Sequence, residues 1–296
     1  MKNIVARLAP TPSGFLHKGN AFNFLLNWLL ARAVNGKVFL RIDDLSTERV
    51  LDEHLEDIFE SLQWMGMDWD MGPSGVEDFK KNWSQHFRID AYNKQIEKLK
   101  EKNLLFACTC SRKQLADAGA TNSYPATCLE KNIPLDAEDV SWRIKVSPNE
   151  VITFYDELLD EQKITIGKQP GSFVIRRRNG LPGYHISTLV DDDLYGVNII
   201  ARGNDLLEST AVQLYLAKQL ELNSFAEAKF YHHPLISDTA EQKLSKSLGS
   251  LSLKTIRKNG YTVKTLLKEF AEWMRLFGYN NIETIQDLLS IWKNKK

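Results

Sequence analysis

Ile4-Val5-Ala6-Arg7-Leu8-Ala9-Pro10-Thr11-Pro12-Ser13-Gly14-Phe15-Leu16-His17-Lys18-Gly19-Asn20 is the stretch from which the rest of the chain can be read. Ile4 to Leu8 has the apolar, β-branched character of a strand, and Ala9 to Gly14 is rich in residues that interrupt regular structure. A helix is then predicted from about Asn20 to Ala33, closed by Asn35-Gly36. Val38 to Ile42 is a second short strand. From Glu48 to Met65, Leu51, Leu55, Ile58, Phe59 and Leu62 recur at helical spacing and form one apolar stripe. Strand, loop, helix, strand, helix is a βαβ opening, and it implies a parallel sheet. The loop then sits at a helix N-terminus, where unpaired backbone N–H groups and the positive end of the dipole favour an anion. His17 is placed to donate to a phosphate oxygen there.

The middle of the chain reads differently. From about Ala107 to Gly171 it mixes cysteines, prolines and short β-like runs such as Trp142 to Val146. This looks like an insertion between two halves of an α/β fold. The α/β pattern resumes with Phe173-Val174-Ile175, the apolar Tyr184 to Val190, a helix at Ser209 to Leu220 and a strand at Phe230 to Ile236. Two C-terminal helices follow. Val263, Leu266, Leu267, Phe270, Met274 and Phe277 form the apolar face of the first, and the second covers about Ile282 to Trp292. The segments are therefore 1–106 and 172–247 for the split core, 107–171 for the insertion and 248–296 for the helical end.

A content of 43% apolar and 26% charged residues is that of an ordinary globular protein, and no apolar run approaches bilayer length. No signal-peptide pattern opens the chain, so a cytoplasmic, membrane-free and monomeric protein is expected. The net charge is zero, but its distribution is uneven. Residues 248–296 carry nine Lys/Arg against four Asp/Glu, and Arg176-Arg177-Arg178 is a second basic point. Nucleic acid stays possible on charge alone.

Lys243-Leu244-Ser245-Lys246-Ser247 is the second stretch with chemical content. Two lysines three apart in a polar loop can meet a triphosphate and neutralise the charge that builds on leaving pyrophosphate. Together, Pro-Thr-Pro-Ser-Gly-x-Leu-His-x-Gly early and Lys-Leu-Ser-Lys-Ser late resemble the two signatures of class I aminoacyl-tRNA synthetases. Arg7 to Pro12, Leu40-Arg41-Ile42-Asp43-Asp44, Tyr184 to Asp192 and Arg202-Gly203-Asn204-Asp205-Leu206-Leu207 resemble the glutamyl/glutaminyl branch. Within it, the chain is similar to the truncated glutamyl-tRNA synthetase paralogues that act on queuosine.

That resemblance implies a Rossmann-like parallel nucleotide-binding domain split by a zinc-bearing insertion. It implies ATP held at His17, Gly19, Asn20, Lys243 and Lys246, with His17 and the two lysines catalytic, and Mg²⁺ accompanying the ATP. It sets L-glutamate against Arg7, Thr11, Asp43, Tyr184 and Arg202. The residue types suit the ligand: Asp and Tyr accept from an ammonium, and Arg holds a carboxylate through two parallel bonds. Arg202 is the expected selector of glutamate over glutamine. The chain departs from glutamyl enzymes at Asp43, where they usually carry Glu, and at Asn20, where a second histidine is usual.

The three cysteines, Cys108, Cys110 and Cys128, lie within 21 residues and suggest a metal rather than a disulfide framework. A structural zinc wants four ligands, and Tyr124, Asp117 and Glu130 are the local candidates for the fourth. The family resemblance favours Tyr124. His232 and His233 are adjacent on a strand and point to opposite faces, so they receive no metal role.

Only 49 residues follow Ser247, so no anticodon-reading domain of the usual size is expected. The resemblance then implies that the catalytic domain itself sits on the anticodon arm and loads glutamate on queuosine in tRNA(Asp). Arg176 to Arg178 and Lys254 to Lys258 would meet the phosphates. A truncated synthetase charging a tRNA 3′ end, and a non-catalytic nucleotide- or tRNA-binding paralogue, are the alternatives.

Overall fold

The computed structural model describes residues 3–46, 50–111, 114, 128–166, 173–235 and 252–294. Tyr124, Asp117, Lys243 and Lys246 lie outside these described residues. In chain order the first elements are β1 (Val5–Leu8), α1 (Lys18–Arg32), β2 (Lys37–Leu40), α2 (Asp52–Trp64) and α3 (Ile89–Glu101). Next come β3 (Leu105–Cys108), β4 (Ser141–Ile144), β5 (Val151–Asp156), β6 (Asp160–Thr165) and β7 (Val174–Arg176). Then follow α4 (Tyr184–Leu194), β8 (Ile199–Gly203), α5 (Leu207–Leu220) and β9 (Lys229–His233), and last α6 (Leu253–Lys258), α7 (Val263–Trp273) and α8 (Ile285–Lys293). Packing divides the chain into two units, one of residues 1–84, 197–204 and 233–296 and one of residues 85–196 and 205–232.

In the first unit β1 lies between β2 and β8, parallel to both, with Val5 opposite Lys37, Leu8 opposite Leu40 and Ala6 opposite Ile199. All four β1 residues are buried, as a central parallel strand requires. The βαβ opening is thus present, with α1 as its crossover helix. Asn35 takes a left-handed backbone at φ 54° to end the α1 turn, and Gly36 N–H closes on Ala31 O at 2.8 Å.

Helix α1 is apolar on almost every side and is buried accordingly at Ala21, Phe22, Phe24, Leu25, Leu26, Trp28 and Leu29. The C-terminal helices cover part of it, with the Phe22 ring 5.5 Å from Phe270 and 5.4 Å from Trp273. The stripe on α2 is buried at Leu55, Ile58 and Leu62, and so are two polar residues beside it, Asp57 and Ser61.

The C-terminal apolar face is shorter than expected. Helix α7 stops at Trp273, Arg275 turns left-handed at φ 53°, and Phe277, read as part of the face, is 95% exposed. A left-handed residue ends an α-helix, so nothing beyond it keeps the helical register.

The second unit holds two groups of paired strands. In one, β3, β4 and β7 are antiparallel neighbours. In the other, β5 pairs antiparallel with β6 and parallel with β9. The Tyr184 to Val190 stretch is the body of helix α4, which packs against α3 and α5. Gly183 caps that helix where no other residue fits, because a Cβ there would lie 2.1 Å from Val174 O. Among the described residues no helix is long and apolar enough to cross a membrane.

Candidate active site

The first signature loop connects β1 to α1. Its Leu16 is buried and His17, the residue before the helix, is exposed. His17 N–H donates to Asn20 Oδ1 at 3.0 Å, so the position usually taken by a second histidine here closes the helix start. The amide nitrogen of Asn20 takes no part in that bond. A Cβ on residue 19 would come 2.9 Å from Cε1 and Nδ1 of His17. Glycine at that spacing lets the imidazole lie against the first turn. This is a local physical reason for the His-x-Gly pattern. Lys18 reaches away from the loop, to Glu269 at 3.0 Å and over the Tyr261 ring at 5.3 Å.

Four of the five residues expected around glutamate fall in the first unit. Arg7 and Arg202 are buried on the neighbouring parallel strands β1 and β8, Asp43 is buried just after β2, and Thr11 is half-buried in the loop. Tyr184, the fifth, begins α4 in the other unit. Arg7 Nη1 donates to Ala201 O at 3.2 Å and to Asn27 Oδ1 at 3.4 Å. Arg41 holds Asp43 through Nε at 2.6 Å and Nη2 at 3.2 Å. That two-point pairing orients the carboxylate.

Several positioning groups escape a reading of motifs. Asn27 is buried in α1 and treats Ala201 as a peptide would, accepting from its N–H at 3.0 Å and donating to its carbonyl at 3.0 Å. It thereby fixes the strand position next to Arg202 and the acceptor of Arg7 together. A lone Asn in an apolar helix carries no signature, though its place among buried neighbours is a signal. In the second unit, Asp191 on α4 is fully buried and takes four kinds of donor bond. Arg88 gives Nε at 2.7 Å and Nη2 at 2.9 Å, Tyr92 gives its hydroxyl at 2.7 Å and Gln85 its amide at 2.9 Å. Burial opposes charge on Arg88, but Asp191 outweighs it and holds the guanidinium protonated, while burial and the same carboxylate push the Tyr92 hydroxyl up. The cluster anchors the helix that Tyr184 begins.

The paired histidines separate as strand geometry requires. His232 is in the core of the second unit, with Nδ1 2.6 Å from Asp156 and Nε2 2.6 Å from Thr210. Burial raises the Asp156 carboxyl, but the His232 bond and two backbone N–H bonds outweigh it and hold it below its ordinary value. His233 belongs to the first unit and lies 3.3 Å from Asn23 Oδ1 on α1.

Cys108 ends β3, and its Sγ lies with those of Cys110 and Cys128 all within 4.8 Å of one another. The Cys110 and Cys128 sulfurs are 3.4 Å apart and none of the three forms a disulfide. A tetrahedral zinc with bonds of about 2.3 Å holds its sulfurs about 3.8 Å apart, so the set fits the ion. Glu130 is exposed, whereas Tyr124 and Asp117 fall outside the described residues. The basic residues nearby are engaged internally. Arg178 bonds Asp139 at 2.8 Å and the Thr109 carbonyl, and the Arg176 guanidinium stacks 4.6 Å over the Trp142 ring.

Residues 3–291 match the family model for the catalytic domain of class I tRNA synthetases (E and Q). The chain therefore belongs to that family, which is one of ligases. Within the family, it is similar to a glutamyl-Q tRNA(Asp) synthetase of Pseudomonas putida, 38% identical over 83% of this chain and 78% of the relative. It is also 31% identical to a glutamate–tRNA ligase of Desulfosudis oleivorans over 99% of this chain, spanning only 61% of that protein's length. The solved glutamate–tRNA synthetase of Elizabethkingia anophelis shares the fold, with a TM-score of 0.79 and 19% identity over 99% of this chain and 66% of its own.

Proposed function

We propose that the protein activates L-glutamate with ATP and transfers it to queuosine in the anticodon of tRNA(Asp). The observation that carries the reading is the 38% identity to relatives named glutamyl-Q tRNA(Asp) synthetase, over more than three quarters of their length. It is supported by Arg7 and Arg202, both buried on neighbouring parallel strands. In this reading the α-carboxylate of glutamate attacks the α-phosphate of ATP, glutamyl-adenylate forms and pyrophosphate leaves. His17 donates to the phosphates, while Lys243 and Lys246 neutralise the leaving group. Mg²⁺ accompanies the triphosphate and contributes further charge stabilisation. Asn20 and the backbone at Gly19 complete the nucleotide cradle. Asp43 and Tyr184 accept from the α-ammonium, and Thr11 and Arg7 hold the carboxylate end in place. Arg202 takes the γ-carboxylate.

A second reading, loading glutamate on a tRNA 3′ end, is favoured by the glutamate–tRNA ligase relative that aligns along 99% of this chain. Both readings share the first step. Glutamate-dependent exchange of pyrophosphate into ATP, run with and without tRNA, tests that step. No exchange under either condition would remove both.

We assign a structural zinc to Cys108, Cys110 and Cys128, with Tyr124 as the fourth ligand. The ion would staple the loop after β3 to the segment around Cys128 through thiolate bonds. Elemental analysis of protein purified without chelator should find one zinc per chain. Chelation should unfold that region, and a metal-free preparation that stays folded and active would reject the assignment.

A further inference from the structure

Asp57 is a carboxylate that lies outside both signatures. Asp57 sits in the middle of α2, fully buried, and its two oxygens serve different segments of the same unit. Oδ2 accepts the backbone N–H of Leu16 at 2.9 Å. Oδ1 accepts Arg257 Nη2 at 3.3 Å, with the Ser61 hydroxyl 3.5 Å away. Leu16 precedes His17, the histidine of the first signature. Arg257 lies on α6, ten residues after Ser247, which ends the second signature.

The same two segments meet a second time through the backbone. Leu253 N–H donates to Leu16 O at 2.7 Å, and His17 and Ser252 form a β-bridge. Both backbone polar groups of Leu16 are therefore fixed, the N–H by Asp57 and the carbonyl by α6. Ser252 caps α6 by accepting from Thr255 N–H at 3.1 Å. Arg257 is seated further on α2 by the Glu60 carbonyl at 3.3 Å and lies over the Trp64 ring at 5.6 Å. Its side chain is 17% exposed against 0% for Asp57, so the pair is largely withdrawn from water. Burying a carboxylate this deeply is costly unless its partners stay in position.

We propose that Asp57 is a positioning residue for the adenylation step, holding the Leu16–His17 backbone and the start of α6 in one register. It touches neither ATP nor glutamate, and it rests on the reading of this site as an ATP-dependent glutamate-activating centre. Its effect passes through His17, whose imidazole must meet phosphate within a few tenths of an ångström to count in the transition state.

Asparagine is the informative replacement. Asp57 accepts on both oxygens, whereas an amide accepts on one side and donates on the other. In Asp57→Asn a donor must face either the Leu16 N–H or the Arg257 guanidinium. The expected result is a fall of about tenfold in the kcat of glutamate-dependent pyrophosphate exchange, with glutamate KM unchanged within about twofold. Hydrogen–deuterium exchange of the intact chain should show the amides of residues 14–20 opening about fivefold faster or more. Arg257→Gln should move both readouts the same way by less, and the double variant should be no worse than Asp57→Asn, since Arg257 acts through Asp57. If Asp57→Asn fails to fold, Arg257→Gln carries the same two readouts alone.

Unchanged amide protection at residues 14–20 in the folded variants would overturn the proposal. So would a fall in kcat accompanied by a rise in the KM for both ATP and glutamate, in step with lost thermal stability. Absence of glutamate-dependent exchange in the unmodified protein would instead refute the activation reading, and the amide measurement would still decide what Asp57 holds.

Discussion

Replacing Lys246 with alanine is expected to slow glutamyl-adenylate formation by about two to three orders of magnitude, the cost of losing one preorganised charge at a developing anion. The apparent affinity for glutamate should move little. The lysine belongs to the Lys243-Leu244-Ser245-Lys246-Ser247 sequence, and in the proposed reaction its charge would count most as negative charge concentrates on departing pyrophosphate. An interaction stronger in the transition state than in the ground state appears in kcat, and one equal in both appears in KM. Single-turnover formation of glutamyl-adenylate, followed beside equilibrium binding of glutamate and ATP, separates the two. Equal loss in rate and in ATP affinity would make Lys246 a holder of ATP only.

The second large effect concerns selectivity. Arg202→Leu should raise the glutamate KM by roughly two to three orders of magnitude, because a buried carboxylate left without its cation is strongly disfavoured. Discrimination against glutamine should erode in the same variant. Arg202 is 4% exposed at the end of β8, beside Ala201, whose carbonyl already receives Arg7 and Asn27. A neutral amide in place of the γ-carboxylate would leave the guanidinium desolvated and poorly matched, which is the physical basis of the expected preference. The ratio of kcat/KM for glutamate and glutamine measures this, with thermal melting as a control for folding. Unchanged selectivity would move the role to Asp43, which Arg41 holds from below at 2.6 Å.

How much of this was legible in the sequence follows from what each signal encodes. The βαβ opening could be read because Ile4 to Leu8 and Val38 to Ile42 are short, apolar and flanked by turn residues, and because α1 is hydrophobic enough to be buried. The α2 stripe was readable from its period. The buried polar members of the same helix were not, since Asp57 and Ser61 look like ordinary solvent-facing residues until a distant arginine and a backbone N–H arrive. Asn27 and Asp191 were hidden for the same reason, as their partners lie 174 and 103 residues away in the chain. The C-terminal face was overextended through Phe277 because apolar periodicity does not register a left-handed residue at Arg275. For the expected glutamate site, motif resemblance picks out Arg7, Asp43 and Arg202, and the fold adds that all three are buried. Arg176 and Arg178 show the reverse case, since a basic triplet reads as a ligand surface while the structure engages two of its members with Trp142, Asp139 and Thr109.

Transfer of glutamate to queuosine in tRNA(Asp), the proposed reaction, is tested most directly by a transfer assay with labelled glutamate. The acceptors are tRNA(Asp) with queuosine, the same tRNA with queuosine but lacking its terminal adenosine, and tRNA(Glu) without queuosine. The account predicts stable labelling of the first two at comparable rates and none of the third. Labelling that disappears with the terminal adenosine, or proceeds equally on tRNA(Glu), would contradict it and make the protein a 3′-end glutamate ligase.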